Sequence, residues 1–167
     1  GMVRLWRWSF PPDRGAPPSV HRLELLASPA PADPGVRHFS GTATYRRSLP
    51  LTEADLVMRG PILLDLGEVK EVARVKVNGE EAGILWKEPY RLDIRPFVKA
   101  GANDLEIAVT NNWNNRIVGD LRGDSGQTIT RTNIASNFGA VSPLLSAGLL
   151  GPVTWQFPVE TTSRLPR

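Results

Sequence analysis

Residues 63–113 read LLDLGEVKEVARVKVNGEEAGILWKEPYRLDIRPFVKAGANDLEIAVTNNW. Within them Ala73, Val75 and Val77 alternate with Arg74, Lys76 and Asn78. Leu105, Ile107 and Val109 likewise alternate with Glu106, Ala108 and Thr110, the period-two pattern of strands with one buried face. Between the two runs, Asn78-Gly79 supplies residues that tolerate the positive φ of a type I′ turn, so a hairpin into Ala82 to Trp86 is expected. Leu92 and Ile94 face inward across Asp93.

The pattern extends outward in both directions. Trp6, Trp8 and Phe10 place three rings on one strand face before Pro11-Pro12 ends it. A proline-rich arm follows, with His21 to Leu26 as a candidate short strand. From Phe39 the alternation resumes through Ala43 and Tyr45, and Arg47 interrupts it, which suggests a bulge. Thr52-Glu53-Ala54-Asp55 can cap one short helical turn ahead of Gly60-Pro61. Ile62 to Leu66 reads as a buried strand, and Val153, Trp155, Phe157 and Val159 give another. Many short strands, turns every 8 to 12 residues or so and no βαβ rhythm indicate an all-β antiparallel β-sandwich or jelly roll. The expectation is one domain over 1–167, with 1–38 an N-terminal strand plus irregular arm. Residues 114–148, without clear periodicity, form a long binding or docking loop.

Composition narrows the function classes. A chain of 167 residues can bury roughly 70% of its unfolded surface without a staple. There is no cysteine, hence no disulfide framework and no thiolate zinc site. The 20 Lys+Arg and 17 Asp+Glu alternate along the chain, which argues against a nucleic-acid partner. No apolar run reaches the roughly 20 residues of a membrane span, so no membrane partner is expected. Met2 is not followed by a signal-like apolar core, and Gly1 ahead of it reads as a tag remnant, leaving open whether Met2 is a natural start.

No GxSxG, HExxH, Walker loop or Cys/His constellation is present, and the two histidines, His21 and His38, read as surface or arm residues. Carboxylates for glycoside hydrolysis could be drawn from Asp65, Glu88, Asp93, Asp120 and Asp124, although the plainer reading has Asp65 and Asp93 holding loops or pairing with arginines. The same oxygens could ligate calcium, but no calcium-loop spacing supports it and no cofactor is expected. Two corners stand out: Trp86-Lys87-Glu88-Pro89-Tyr90-Arg91 and Asn111-Asn112-Trp113-Asn114-Asn115-Arg116 each set a ring among donors and acceptors at a strand end. Sugars are held that way. The alternatives are that the rings plug the sandwich ends, or that the corners form a protein interface.

Phe39 to Tyr45, followed by residues 64–111, resembles the galactose-binding-like jelly roll of family 2 glycoside hydrolases. The sequence is more similar still to the C-terminal region of family 106 α-L-rhamnosidases. That likeness runs through Trp113-Asn114-Asn115-Arg116-Ile117-Val118-Gly119-Asp120, the ending Ser146 to Val153, the arm at 15–20 and the first Trp-rich strand. The resemblance implies a non-catalytic sandwich supporting a separate catalytic barrel, itself about 250 residues. It carries no catalytic residue over to this chain, and it implies secretion or a periplasmic location. One departure is Asn112-Trp113-Asn114-Asn115-Arg116, where the family pattern has Leu-Trp-Pro-Asn-Arg. The candidates for carbohydrate binding or domain docking are Trp86, Lys87, Tyr90, Trp113, Asn114, Asn115, Arg116 and Asp120. The partners implied are a catalytic barrel and a rhamnose- or galactose-containing glycan. A stand-alone lectin-like module and an interaction module without sugar affinity remain the alternatives.

Overall fold

The computed structural model describes residues 6–22, 33–133 and 141–157. Six strands make the larger layer: β1 (Trp6–Ser9), β2 (Ser19–Arg22), β3 (Thr42–Leu51), β6 (Val72–Val77), β7 (Glu80–Leu85) and β9 (Gly101–Thr110), ordered β2-β1-β3-β9-β6-β7. Facing it are a three-stranded sheet of β4 (Leu63–Asp65), β8 (Arg91–Asp93) and β11 (Thr154–Gln156), and a pair of β5 (Glu68–Lys70) with β10 (Gly148–Gly151). Every named pairing is antiparallel. The fold is the all-β sandwich that the alternation indicates.

Each inward set from the sequence reaches the core. Ala73, Val75, Val77, Leu105, Ile107 and Val109 are buried, and they pack with Leu64, Leu66 and Ile94 from the opposite layer. Asn78 and Gly79 take positive φ, 53° and 85°, as the hairpin requires. Asn78 does more than turn the chain: its amide donates to the Phe97 carbonyl and to Asn103 Oδ1, and its own oxygen accepts the Asp104 amide. The short helix α2 (Glu53–Val57) carries the expected capping box between Thr52 and Asp55.

Three segments depart from the sequence reading. At Arg47 there is no bulge, because β3 pairs with β9 in unbroken register from Thr42 to Leu51. Arg47 lies on the inward side of the alternation, and its guanidinium packs over the Trp6 ring, 5.5 Å from the centroid. The arm contributes a second helix, α1 (Pro34–Arg37), capped by Asp33. Residues 114–148 open with α3 (Asn114–Arg122) and close on β10. The expected strand residues Leu23 to Leu26 and Val159 lie outside the described residues.

The outer face of the six-stranded sheet follows from the same registers. Leu85 lies opposite Ala73, so Trp86, one residue on, continues beside Val72, which is itself opposite Thr110; Thr110 is opposite Thr42. The next row is Ile84, Arg74, Ala108 and Thr44. Beyond these the face turns ionic, with Lys76 opposite Glu106 and Arg46 bonded to Glu106 at 2.9 Å.

Candidate functional site

The registers also decide what meets at one end of the sandwich. Val109 lies opposite both Ala43 and Ala73, Ala73 lies opposite Leu85, and Ser9 lies opposite Thr44. The loop after β1, the segment 39–41, the turn after β7 and the exit of β9 are therefore gathered at the same end. Both Trp-containing corners belong to it.

The exit of β9 is fixed by amide side chains. Asn111 accepts the Gly41 amide at 2.8 Å and donates to the Phe39 carbonyl at 2.9 Å. Asn112 donates to Glu71 at 2.6 Å and accepts the Asn114 amide at 3.0 Å. Asn115, buried, brackets Leu145 by donating to its carbonyl at 2.7 Å and accepting its amide at 2.8 Å.

The next turn of α3 buries an ion pair. Arg116 is 1% exposed, and the Asp120 side chain 3%, with Arg116 Nε 3.0 Å from Asp120 Oδ1. Arg116 also donates to the carbonyls of Arg14 and Gln127. Asp120 accepts from Ser125 Oγ, from the amides of Ile129 and Thr130 and from the Thr130 hydroxyl. Burial alone would raise the Asp120 pKa, but the bonds from Ser125, Thr130 and Ile129 prevail and hold it below the usual carboxylate value. Close packing completes the anchor: a Cβ at Gly119 would lie 2.5 Å from the buried His38 ring, so only glycine fits there. His38 in turn bonds the Pro34 carbonyl through Nδ1 at 2.9 Å, with Nε2 3.3 Å from Asp124.

The eight candidate residues thus separate. Asn115, Arg116 and Asp120 face inward and tie 14, 127–130 and 145 to α3. Tyr90 is buried, its hydroxyl donating to the Glu71 carbonyl at 2.8 Å. Asn114 is half-buried and donates to Asn115 Oδ1 at 3.2 Å. Trp86, Lys87 and Trp113 alone among them present substantial free surface: Trp86 is 67% exposed with the Lys87 ammonium 5.2 Å from its centroid, and Trp113 is 43% exposed with the Arg14 guanidinium at 5.1 Å. Arg14 carries no signal in the sequence that would place it beside Trp113, because a contact across 99 positions depends on the whole sheet order. Buried Asn103, His38 and Ser125 are similarly silent in the sequence.

Of the candidate acids, Asp65, Asp93, Asp120 and Asp124 are engaged by neighbouring groups. Asp65 accepts the Gly67 amide at 2.9 Å and pairs with Arg91 at 2.6 Å, in a shallow hollow that Glu88 and Tyr90 also border. Asp93 accepts the amides of Ile62 and Arg95. Among the described residues no group of three or more His, Asp or Glu gathers as metal ligands. A cavity of about 190 Å³ lies between the sheet and residues 144–150, lined by Trp8, Phe10, Phe39, Tyr45, Asn111 and Asn115 among others. Its polar groups are already engaged in part: burial pushes the Tyr45 phenol up to about 12, against the bond it accepts from the Leu149 amide.

A rhamnosidase from Novosphingobium sp. PP1Y shares 44% identity over 90% of this chain, with a TM-score of 0.79. The chain corresponds to one small domain of a larger glycoside hydrolase. It spans only 14% of that rhamnosidase, and 16% of a Formosa agariphila protein named "Putative beta-glucuronidase", to which it is 34% identical over 95% of its own length. Two further structures, β-glucuronidases from Ruminococcus gnavus and Dictyoglomus thermophilum, share 21% and 20% identity over 66% of the chain with TM-scores of 0.53 and 0.52, a likeness of fold alone. No family model matches the chain.

Proposed function

We propose that this is a non-catalytic, galactose-binding-like ancillary domain of a family 106 rhamnosidase-type glycoside hydrolase, which supports the catalytic barrel. The observation that carries the reading is the 44% identity over nearly the whole chain to a part making up only 14% of a rhamnosidase. Inward-facing Asn115, Arg116 and Asp120 support it too: they serve the shape of the loop end, so that Trp113 and Asn114 are presented on a fixed support. The test is a chimera in which this chain replaces the matching part of the Novosphingobium rhamnosidase. The expected result is that the chimera hydrolyses an aryl α-L-rhamnoside and the isolated chain does not. Turnover by the isolated chain that an acid-to-amide substitution abolishes would overturn the reading.

A second reading, a carbohydrate-binding module, draws on Trp113. An exposed indole beside Arg14, Asn112 and Asn114 has the ring, the charge and the amides that hold a pyranose. Calorimetric titration with rhamnose- and galactose-containing glycans checks it, with binding that Trp113→Ala removes as the supporting result and no heat across the panel as the opposing one.

A further inference from the structure

We infer that the outer face of the six-stranded sheet, centred on Trp86, is the surface through which this domain docks on a neighbouring domain of the larger glycoside hydrolase. The inference rests on the ancillary-domain reading above and adds to it the place and chemistry of contact. Three large apolar side chains stand together there: Trp86 at 67% exposure, Ile84 at 48% and Val72 at 38%. They are contiguous by register, since Trp86 continues β7 beside Val72 and Ile84 stands two residues before Trp86 on the same outward face; in the next row Arg74 separates Ile84 from Ala108. Exposed apolar groups scattered singly need no explanation, but a contiguous set on a flat sheet face marks a contact surface. Tryptophan is also the residue type most enriched among interface anchors.

The charge around the patch specifies the partner. Arg74 and Lys87 border the apolar set, and of the neighbouring acids Glu81 is the one paired with Arg74, at 3.4 Å. Farther along the face the row runs Arg46, Glu106, Lys76 and Glu81, so in these two rows Arg46, Lys76, Arg74 and Lys87 meet only the carboxylates of Glu106 and Glu81. The face therefore leans positive, and a complementary surface offers an apolar pocket for the indole with carboxylates at its edge. A domain of the same polypeptide supplies such a surface at high effective concentration, so even a contact of ordinary interdomain size is held. A glycan suits this face less well. The Lys87 ammonium covers one side of the Trp86 ring, the adjoining Val72 and Ile84 offer no hydrogen bonds to hydroxyls, and the polar groups beside them are already paired, Thr110 with Thr42 and Arg74 with Glu81.

The chimera described above tests the surface. Trp86→Asp and Ile84→Asp are introduced singly, with Val57→Asp, on the exposed helix α2, as the control. The readouts are the rate of protease cleavage at the junctions with the rest of the chimera and the unfolding midpoint of each isolated variant domain. Docking through this face predicts junction cleavage about tenfold or more faster for the two sheet variants, the effect of an anchor losing its pocket, with the control unchanged and the isolated midpoints unmoved. Equal cleavage in all forms of an active chimera places the contact elsewhere and overturns the inference alone. Inactivity of the unsubstituted chimera removes the ancillary reading, and the inference with it. Concentration-dependent dimerisation of the isolated chain, or its binding of a rhamnose oligosaccharide or a polyuronate, that Trp86→Asp abolishes overturns the inference in favour of a second copy or a glycan.

Discussion

The sheet region 63–113 and the segment 114–133 are held in place by opposite means. In the sheet, position is specified many times over: each of β6 and β9 contributes three inward apolar side chains, and each rung of register repeats the same instruction. In 114–133 the fold depends on a few polar residues, chiefly Arg116 and Asp120, that bond backbone groups distant in sequence. A redundant apolar pattern tolerates the loss of a single member. A polar staple does not, because the partner left behind is a buried charge without its counter-ion.

The largest test of that contrast is Arg116→Met. It leaves the Asp120 carboxylate without its counter-charge, held only by Ser125, Ile129 and Thr130, and a loss of about 3 kcal/mol is expected in urea unfolding. A change comparable to that of a surface substitution would mean the segment is held by something other than the staple. The acid limb comes next. Because the folded Asp120 pKa lies below its unfolded value, its contribution is fully present above about pH 4 and is lost as pH falls through the lower, folded value. Replacement by Asn should flatten that part of the acid-unfolding curve; an unchanged curve would remove Asp120 as its source. The smallest effect is expected in the sheet, where Ile107→Val should cost about 0.5–1.5 kcal/mol by the same urea measurement. If it matched Arg116→Met, the claim of redundancy would fail.

The same contrast explains what could be read from the sequence. Alternation of period two is local, so the long strands β3, β6 and β9, the Asn78-Gly79 hairpin and the Thr52 capping box were legible residue by residue, whereas the short strands β5 and β10 were not. The helix α3 was not, because its buried positions are Asn115, Arg116, Val118 and Gly119, and a stripe made largely of polar and small residues gives no apolar periodicity. Arg47 misled in the same way: a charge at an inward position looks like a break in register until Trp6 is seen beneath it. At the candidate site, the sequence indicated the two Trp corners, and it could not distinguish residues that face out from residues that hold the loops. Direction there is set by Arg14, Glu71 and Leu145, which are up to 102 residues away from the groups they meet.

Those distances have a kinetic side. The bond from Arg116 to the Arg14 carbonyl closes 102 residues of chain, and that from the Leu149 amide to Tyr45 closes 104. These bonds also depend on a finished six-stranded sheet to bring α3 to its partners, so that sheet is expected to assemble first and the end that carries Trp113 to be completed late. What closes late tends to open early under native conditions. Native-state hydrogen exchange should therefore release the Ile129 and Thr130 amides bonded to Asp120 before those of β9; the reverse order would contradict this sequence of events.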